Sequence, residues 1–367
     1  MTEKQRMILP RPEVLALPPS HHGAFDYGEL EKLALNPAVL LDFSVNSNPY
    51  GSPPGVYEAL QRVPLDLYPD RDVLALRRAL AQHLGVGMEH IEVGNGTAEL
   101  IWSIALAFLR PADAVLIIGP TFDEYGRAAA LMGAVVHKLD ACPEQGFAVD
   151  TDAVSRRLAE VDARVVFICN PNNPTGAWTP SEAIAIWAEA HRETLFVVDE
   201  AYLEFVEGGA SALPLELENL VVLRSMTKDY ALAGLRLGYA VGDPTVIAAL
   251  AKVRPPWSVN ALAQAAGVAV LEDHAYVQKS LKRLREAKED FTEGLRALGF
   301  APLPSATHFF LANVRDGRAF RSALLQHKIL VRDGASFGLA AYVRIATRCP
   351  EENLCFLDAV RVLKWPL

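Results

Sequence analysis

Short apolar runs alternate with longer amphipathic segments along the middle of the chain. The runs are rich in β-branched residues and bounded by turn formers, which predicts buried strands at 114–118, 165–168, 195–198 and 220–223. The segments at 99–108, 124–132, 151–160 and 180–191 are predicted helices. This alternation predicts an α/β fold in which helices cover both faces of a mainly parallel central sheet. Ligands bind beyond the carboxyl ends of such strands, so polar residues there are candidates for a site.

The last hundred residues follow a different pattern. A charged helix is predicted at 276–298, short strands at 309–313 and 342–347, and a final helix from about Glu351. We therefore expect an N-terminal arm with part of a small domain at 1–45, a large domain at 46–255 and a small α+β domain at 256–367. The first forty residues are expected to pack onto the small domain.

Composition and charge exclude several classes of protein. With 367 residues, 51% of them hydrophobic, the chain can bury a large core. A formal net charge of −9 argues against binding to nucleic acid or to an anionic membrane. The scattered cysteines form no CxxC pair, so we expect neither a metal site nor disulfides. The longest apolar stretch, 100–109, is too short to span a bilayer, and no secretory signal is evident, so we expect a cytoplasmic protein.

A lysine follows directly after one predicted strand. Ser225, Thr227 and Lys228 come after the run at 220–223, and Arg236 follows eight residues after the lysine. An aldehyde cofactor requires a lysine amine whose pKa is lowered by burial or by neighbouring charge. Hydroxyls and a guanidinium suit a phosphate, which arginine can bind with two parallel hydrogen bonds. The alternative is an exposed lysine with a structural arginine.

Two further motifs follow predicted strands. Asp199 ends the strand at 195–198, and a buried carboxylate there needs a cation such as a protonated pyridine nitrogen, with Tyr202 near the ring hydroxyl. Asn173 lies in the rigid turn NPNNPTG and offers an amide donor. A helix-capping role for Asp199 and a purely structural turn around Asn173 are the alternatives.

The motif GNGTAE (94–99) leads into a predicted helix. Its glycines allow close approach to the backbone, and helix N-terminal N–H groups favour a phosphate. No GK[ST] follows and a third glycine is missing, so the motif predicts neither a Walker loop nor a nicotinamide-dependent dehydrogenase. A simple helix cap is the alternative.

Six motifs occur in one order: GNGTAE, PTFDEY, NPNNPTG, DEAY, SMTK and GLRLGY. From about Asp42 to Arg348 the chain resembles the class I/II aminotransferases, fold type I of the enzymes that use pyridoxal 5′-phosphate (PLP). The resemblance implies that Lys228 holds the cofactor as a Schiff base and acts as the general acid and base, with Asp199 on the pyridine nitrogen and Tyr202 and Asn173 on the ring hydroxyl. It also implies contacts of the cofactor with Phe122, Thr97, Ala98, Ser225, Thr227 and Arg236.

The resemblance extends to the substrate side and to a second subunit. Arg344 resembles the arginine that pairs with the substrate carboxylate. Asn48 and Gly51 belong to a turn similar to a substrate-side loop, whose alternative is an ordinary turn. Arg332 and Arg348 are further candidates for substrate binding, and a structural surface role for Arg348 is the alternative. Tyr68 is similar to a tyrosine that reaches the neighbouring subunit's phosphate group, which implies a homodimer.

Two branches of the family resemble the chain. Histidinol-phosphate aminotransferases share NxNPYG, DEAYxEF and LAGLRLGY, whereas threonine-phosphate decarboxylases of cobalamin biosynthesis are similar in HHGAFDY, LLDFSVN and RIATRCPEEN. We favour an aminotransferase acting on a small amino acid or amino-phosphate with a 2-oxo acid, because transamination is the commoner activity on this fold. A non-catalytic binding protein is a remote alternative, since it could have lost Lys228, Asp199 or Arg236.

His308 departs from the pattern of this family, in which asparagine is frequent at the corresponding position. We expect a hydrogen-bonded strand histidine. An effect on substrate choice is the alternative.

Overall fold

The computed structural model describes residues 8–19 and 23–366. His21 and His22 of the motif HHGAFDY, and the first seven residues of the predicted arm, lie outside the described residues. The helices are α1 Pro12–Ala16, α2 Tyr27–Lys32, α3 Pro54–Gln61, α4 Leu74–Leu84, α5 Gly96–Phe108, α6 Glu124–Leu131, α7 Thr151–Glu160, α8 Ser181–Ala190, α9 Pro244–Val253, α10 Ala261–Glu272, α11 His274–Ala297, α12 Gly317–Gln326 and α13 Pro350–Leu363. The strands are β1 Leu41–Asp42, β2 Ile91–Gly94, β3 Ala114–Gly119, β4 Val135–Asp140, β5 Ala163–Cys169, β6 Leu195–Asp199, β7 Leu220–Ser225, β8 Gly238–Gly242, β9 Phe309–Asn313, β10 Ile329–Leu330, β11 Arg332–Asp333 and β12 Tyr342–Ala346.

A seven-stranded sheet forms the centre of the molecule, in the order β2-β8-β7-β6-β5-β3-β4. The four predicted strands are its middle members, and β4, β3, β5, β6 and β7 run parallel. β8 is antiparallel to both of its neighbours. The prediction of a mainly parallel α/β sheet is therefore confirmed.

Three strands of this sheet were not predicted, each for a sequence reason. The β4 segment VVHKLD includes polar and solvent-exposed positions at the sheet edge, so it lacks a continuous apolar run. The β8 segment GYAVG begins and ends with glycine, which is depleted in strands. β2 is only four residues long.

Apolar side chains cover both faces of the sheet. On one face, Ile104 of α5 and Ala128 of α6 belong to a buried cluster that includes Val197 of β6. On the other face, Leu158 of α7 and Trp187 of α8 pack in a second cluster with further strand residues. Helices on both sides allow these strands to be apolar at nearly every position, in contrast to a sheet with one wet face.

The C-terminal part has its own sheet and core. β11, β12 and β9 form a three-stranded antiparallel sheet, with Arg332 opposite Arg344 in the register. Buried phenylalanines link this sheet to α11 and α13, including Phe291 and Phe356, whose ring centroids are 5.3 Å apart. β1 pairs in parallel with β10, so residues 41–42 join this part.

The N-terminal arm contacts both parts of the molecule. Glu29 of α2 pairs with Arg321 of α12, in the C-terminal part. By contrast, α1 contacts α6, and the Arg127 guanidinium donates to the Pro18 carbonyl oxygen. The expectation that the whole arm packs onto the small domain is therefore wrong for the segment around α1. The domain boundaries at 45/46 and 255/256 stay a prediction.

Within the described residues, no helix combines the length and the apolar composition needed to cross a bilayer. In the same part of the chain, no three side chains of the histidine, cysteine and acidic types come together as a metal site would require.

Candidate active site

A cavity of about 100 Å³ lies at the carboxyl ends of β5, β6 and β7. Because these strands are parallel and in register, the residues that follow them meet at one edge of the sheet. The cavity is lined by Thr97, Ala98, Phe122, Tyr125, Cys169, Asn173, Asp199, Ala201, Tyr202, Ser225, Thr227, Lys228 and Arg236. The structure thus brings together the residues predicted from the sequence to contact the cofactor, except Tyr68.

Lys228 places its amine in a cationic part of this wall. Burial, together with the nearby Arg344 and Arg236, lowers the pKa of the Lys228 amine to about 8, and Asp199 opposes this shift. The amine lies 6.0 Å from the ring centroid of Tyr202. A lysine in this state is partly neutral near physiological pH and can act as a nucleophile or a base.

Asp199 is the acidic residue of the cavity wall among the described residues. Its carboxylate accepts hydrogen bonds from the Tyr125 hydroxyl at 2.8 Å and from the Ala201 N–H at 3.1 Å. Burial raises the pKa of Asp199 to about 6, against the effect of these two donors. Asp199 has no ion-pair partner within 4 Å among the residues that the structure describes, so its charge is available to a ligand.

Two glycines allow the hydrogen-bond donors that suit a phosphate group to lie close together. Gly96 has a φ of +78°, and a Cβ there would lie 3.0 Å from the Arg236 guanidinium. A Cβ on Gly238 would lie 2.8 Å from the Thr97 nitrogen. Only residues without side chains allow Arg236 and β8 to approach the first turn of α5 this closely. The free N–H groups and positive dipole end of this helix favour an anion.

Two hydroxyls and a guanidinium complete this end of the cavity. Ser225 Oγ and Thr227 Oγ1 are 2.7 Å apart, and the Arg236 guanidinium donates to the Ala233 carbonyl oxygen at 3.0 Å. Arg236 forms no ion pair within the described part of the chain. The cavity wall therefore carries both cationic groups and an acidic one.

Arg344 fixes the orientation of Asn173. One nitrogen of the guanidinium donates to Asn173 Oδ1 and the other to the Ser44 carbonyl oxygen. Since the amide oxygen of Asn173 is occupied, its NH₂ group remains to donate towards the cavity. Arg344 is 5% exposed and has no carboxylate within 4 Å among the described residues, and burial lowers its pKa to about 10. A buried arginine without a counter-ion suits an anionic ligand.

The turn at 46–51 places a different asparagine than expected near the site. Asn48 is fully used within the protein, since its Nδ2 donates to the Asp229 carbonyl oxygen at 3.0 Å and to Ser280 Oγ at 2.6 Å. Gly51 has a φ of +79° and serves the turn. Neither residue lines the cavity. The buried amide of Asn46 lacks a hydrogen-bond partner among the described residues and lies near the Tyr202 hydroxyl, whose pKa it lowers against the larger effect of burial.

Sequence reasoning missed Asn46 and Tyr125. The motifs NxNPYG and PTFDEY contain both residues, but nothing in their spacing indicates which side chain points inward. Arg332, the other substrate candidate, is buried, donates to Ser336 Oγ at 2.5 Å and lies over the ring of Phe337. Its position opposite Arg344 in the strand register places both arginines on one face of the small sheet.

Arg348 has protein partners on each side of its guanidinium. It donates to both carboxylate oxygens of Glu352, at 3.0 and 2.9 Å, and to the Asp42 carbonyl oxygen at 3.0 Å. Of the two roles that the sequence left open, these contacts favour the structural one, because the guanidinium is already neutralised and ties α13 to β1.

We expect Arg348→Ala to affect stability more than activity. Loss of the paired guanidinium should lower the free energy of unfolding by about 1–2 kcal/mol, as for a charge-assisted hydrogen bond. KM for every substrate should stay within about twofold. Chemical denaturation and steady-state kinetics measure the two effects. A large increase in KM with unchanged stability would show that Arg348 binds substrate.

His308 is not the hydrogen-bonded strand histidine that was expected. Both ring nitrogens are buried and lack a hydrogen-bond partner among the described residues. The ring packs against Phe205, with centroids 3.9 Å apart, and burial with nearby Lys288 holds its pKa well below the usual value. The residue is therefore a neutral imidazole with unused hydrogen-bonding capacity. Its effect on substrate choice stays a prediction.

Tyr68 lies away from the cavity of its own chain. It is 82% exposed, and its ring contacts that of Trp257, with centroids 4.9 Å apart. The position is compatible with a contact to another molecule.

Comparison with known proteins identifies the family. The model of the family "Aminotransferase class I and II" matches residues 38–357. A histidinol-phosphate aminotransferase from Moorella thermoacetica is 36% identical over 88% of this chain and 85% of that protein. One from Halalkalibacterium halodurans is 34% identical over 94% of both chains.

Solved structures agree with this result. The histidinol-phosphate aminotransferase from Sinorhizobium meliloti, in complex with pyridoxal-5′-phosphate, has a TM-score of 0.88 at 25% identity and covers 96% of both chains. An aspartate aminotransferase variant from Thermus thermophilus has a TM-score of 0.85 at 26% identity, covering 97% of this chain and all of that chain. PLP is thus the cofactor of this family, and this chain belongs to the class I and II aminotransferases.

Proposed function

We propose that this aminotransferase uses histidinol phosphate as amino donor and a 2-oxo acid as acceptor, with PLP held in the cavity at the carboxyl ends of β5, β6 and β7. The choice of histidinol phosphate as donor follows from the names of the similar proteins reported above. The observation that carries the assignment is the cavity itself. It unites an amine of lowered pKa, Lys228, with a buried carboxylate, Asp199, and a guanidinium without an ion-pair partner among the described residues, Arg236. An aldehyde cofactor that also carries a pyridine nitrogen and a phosphate has a use for each of these three groups.

The residues present fit PLP along the whole cavity. The first turn of α5, with Thr97 and Ala98, would hold the phosphate together with the side chains of Ser225, Thr227 and Arg236. Asp199 would face the pyridine nitrogen. Phe122 would cover one face of the ring, and the Asn173 NH₂ with Tyr202 would donate to the ring hydroxyl. When bound, PLP withdraws electrons from the substrate Cα and so stabilises negative charge there.

The protein's own groups then account for the transfer. Lys228 Nζ, as a neutral amine, would remove the proton from the substrate Cα, hold it as an ammonium and return it to the carbon that was the aldehyde of the cofactor. Positioned transfer of this kind contributes about 10²–10⁴-fold. Arg344 holds the anionic group of the substrate, so that the Cα–H bond faces Lys228. The low exposure of Asp199 and Tyr202 shows how little water reaches these groups.

Both substrates carry an anionic group, which suits one shared binding site. Histidinol phosphate has a phosphate and no carboxylate, whereas a 2-oxo acid has a carboxylate next to the reacting carbon. Arg344 and Arg332 lie opposite each other on one face of the small sheet, and both are buried. Arginine binds phosphate and carboxylate with the same planar geometry. The pair could therefore serve each half of the reaction in turn.

Two parallel assays test the reaction and its alternative. The holoenzyme is incubated with histidinol phosphate and 2-oxoglutarate, and separately with threonine phosphate, and both glutamate and CO₂ are measured. Glutamate without CO₂ is the expected result. Release of CO₂ from threonine phosphate would replace the proposal with the decarboxylase. The same cofactor would then act on a substrate whose carboxylate is held perpendicular to the ring.

The rate at which the apoenzyme captures PLP covalently should rise with pH. Lys228 reacts only as the neutral amine, and its pKa is lowered to about 8. Below that pH the reactive fraction increases about tenfold per pH unit, and it becomes constant above about pH 9. Stopped-flow absorbance with excess PLP measures this rate. A profile still rising tenfold per unit between pH 9 and 10 would contradict the lowered pKa.

We also propose that the active form is a homodimer in which Tyr68 of one subunit reaches the phosphate site of the other. The support is the resemblance of LDLYPD to the corresponding family segment and the exposure of the Tyr68 ring, at 82%. Light scattering measures the mass in solution. A mixture of inactive Tyr68→Ala and Lys228→Ala chains should regain activity in mixed dimers, whereas no recovery despite subunit exchange would contradict a shared site.

A cytoplasmic location agrees with the four free cysteines of the described residues.

A further inference from the structure

Tyr125 lies in the cavity wall with its hydroxyl on the carboxylate of Asp199. The residue is fully buried on α6, and its O–H donates to Asp199 Oδ2 at 2.8 Å. Its ring stacks on Phe167, with centroids 5.0 Å apart and an angle of 11° between the planes. The edge of Phe122 lies against it at 5.7 Å. Because both aromatic neighbours restrict the ring, the hydroxyl has a fixed position.

Among the described residues, the Tyr125 hydroxyl is the side-chain group that donates a hydrogen bond to the Asp199 carboxylate. The other carboxylate oxygen accepts a backbone hydrogen bond from Ala201 at 3.1 Å. A donor stabilises the ionised form of a carboxylate, and a bond to a charged oxygen is roughly twice as strong as one between neutral groups. Tyr125 therefore makes Asp199 a weaker base than burial alone would make it.

Several titratable groups from different elements face Asp199. They are Tyr125 on α6, Cys169 on β5, Glu200 and Tyr202 after β6, and Lys228 after β7. Burial raises the pKa values of Cys169 and Tyr202 to about 12, so both remain neutral. Burial is the largest effect on the pKa of Asp199, and the hydrogen bond from Tyr125 is the largest that opposes it. Lys228 adds to the effect of Tyr125, whereas Glu200 acts against it.

We propose that Tyr125 is a positioning residue that decides where the proton shared by Asp199 and the pyridine nitrogen of the cofactor resides. This inference rests on the proposed function, in which that nitrogen faces Asp199. With the phenol in place, the carboxylate is the weaker base and the proton stays on nitrogen. Without it, the proton transfers from nitrogen to the carboxylate oxygen, no other atom moves, and the ring loses the positive charge that attracts electrons from the substrate.

The test is Tyr125→Phe, which removes one oxygen atom and keeps the ring. The wild-type and variant holoenzymes are reconstituted with PLP labelled with ¹⁵N at the pyridine nitrogen. The wild-type resonance should be that of a protonated pyridine, and the variant resonance should move towards that of a neutral one. We expect kcat to fall about tenfold, as for the loss of one charge-assisted hydrogen bond, with KM changed less than about threefold.

Tyr239→Phe is the matched control. Tyr239 is also buried, at 5% exposure, but it does not line the PLP cavity. Its loss should leave both the ¹⁵N resonance and kcat unchanged. A general effect of losing a buried phenol would alter both variants alike and would overturn the proposal.

If Tyr125→Phe does not fold, the same ¹⁵N measurement is made on a second substitution at this position. Replacing Tyr125 with 4-aminophenylalanine preserves the shape and supplies a weaker donor, so the resonance should lie between the two extremes. An unchanged resonance in a Tyr125 variant that retains PLP would overturn the role of Tyr125 alone. A wild-type protein that retains no PLP would instead overturn the proposed function.

Discussion

Lys228→Ala should abolish turnover and leave the fold intact. In the proposed function this amine anchors the cofactor and moves the proton, and positioned proton transfer alone is worth about 10²–10⁴-fold. The cost to folding is small, because the burial that lowers the pKa of this amine to about 8 is itself unfavourable for a cation. Single-turnover kinetics and thermal unfolding of the apoenzyme measure the two effects.

Lys288→Ala is the matched control for this variant. Its amine is also partly buried, with a pKa lowered to about 8, but it donates to the Ser305 carbonyl oxygen at 2.6 Å and does not line the cavity. We expect it to keep its activity within about threefold. Full activity in Lys228→Ala, or an equal loss in both variants, would contradict the role given to Lys228.

Arg344→Gln should lower kcat/KM by about 10²–10³-fold while changing the free energy of unfolding of the apoenzyme by less than about 1 kcal/mol. Removing one partner of a buried ion pair costs about 2–5 kcal/mol of binding, and in the proposed function the other partner is the anionic substrate. In the apoenzyme this guanidinium is buried without a counter-ion among the described residues, so its loss removes an unfavourable charge. That gain offsets the loss of its hydrogen bonds to Asn173 Oδ1 and to the Ser44 carbonyl oxygen. Steady-state kinetics with both substrates and denaturant unfolding test the two halves of the prediction.

Arg254→Gln should show the opposite pattern. Arg254 is a partly buried arginine, with a side chain 10% exposed, whose carboxylate partner is the buried Glu92, and neither residue lines the cavity. Its loss leaves Glu92 buried and unpaired, which costs about 3–5 kcal/mol of stability. The folded fraction should retain normal kinetics. If Arg344→Gln also lost several kcal/mol of stability with little change in kcat/KM, Arg344 would be a structural residue.

Residues after β5, β6 and β7 could be placed from the sequence because few contacts decide their position. The apolar runs predict parallel strands, and parallel strands bring their carboxyl ends to one edge. The backbone positions of Asn173, Asp199 and Lys228 are therefore brought together by the strand order alone. The same reasoning does not distinguish Asn46 from Asn48, which are two residues apart in one turn. Only the packing of α11 and of the segment after Lys228 against this turn decides which amide is hydrogen-bonded within the protein.

Arg348 illustrates a second limit. Its spacing from Arg344 allowed it to bind substrate, but the first turn of α13 places Glu352 against it, and β1 supplies the Asp42 carbonyl oxygen from about three hundred residues away. Ion pairs depend on the relative position of whole elements, and the sequence pattern does not contain that position.

The amino-acid sequence alone determined the parallel sheet, the family and the polar residues that follow the strands, because periodicity and turn chemistry are local properties. The tertiary structure decided which of these groups are charged, paired or free. It alone placed Tyr125 on Asp199, 74 residues apart, and Arg344 on Asn173, 171 residues apart. Burial and the contacts between distant segments set the pKa values and the hydrogen-bond partners, and these quantities exist only once the chain is folded.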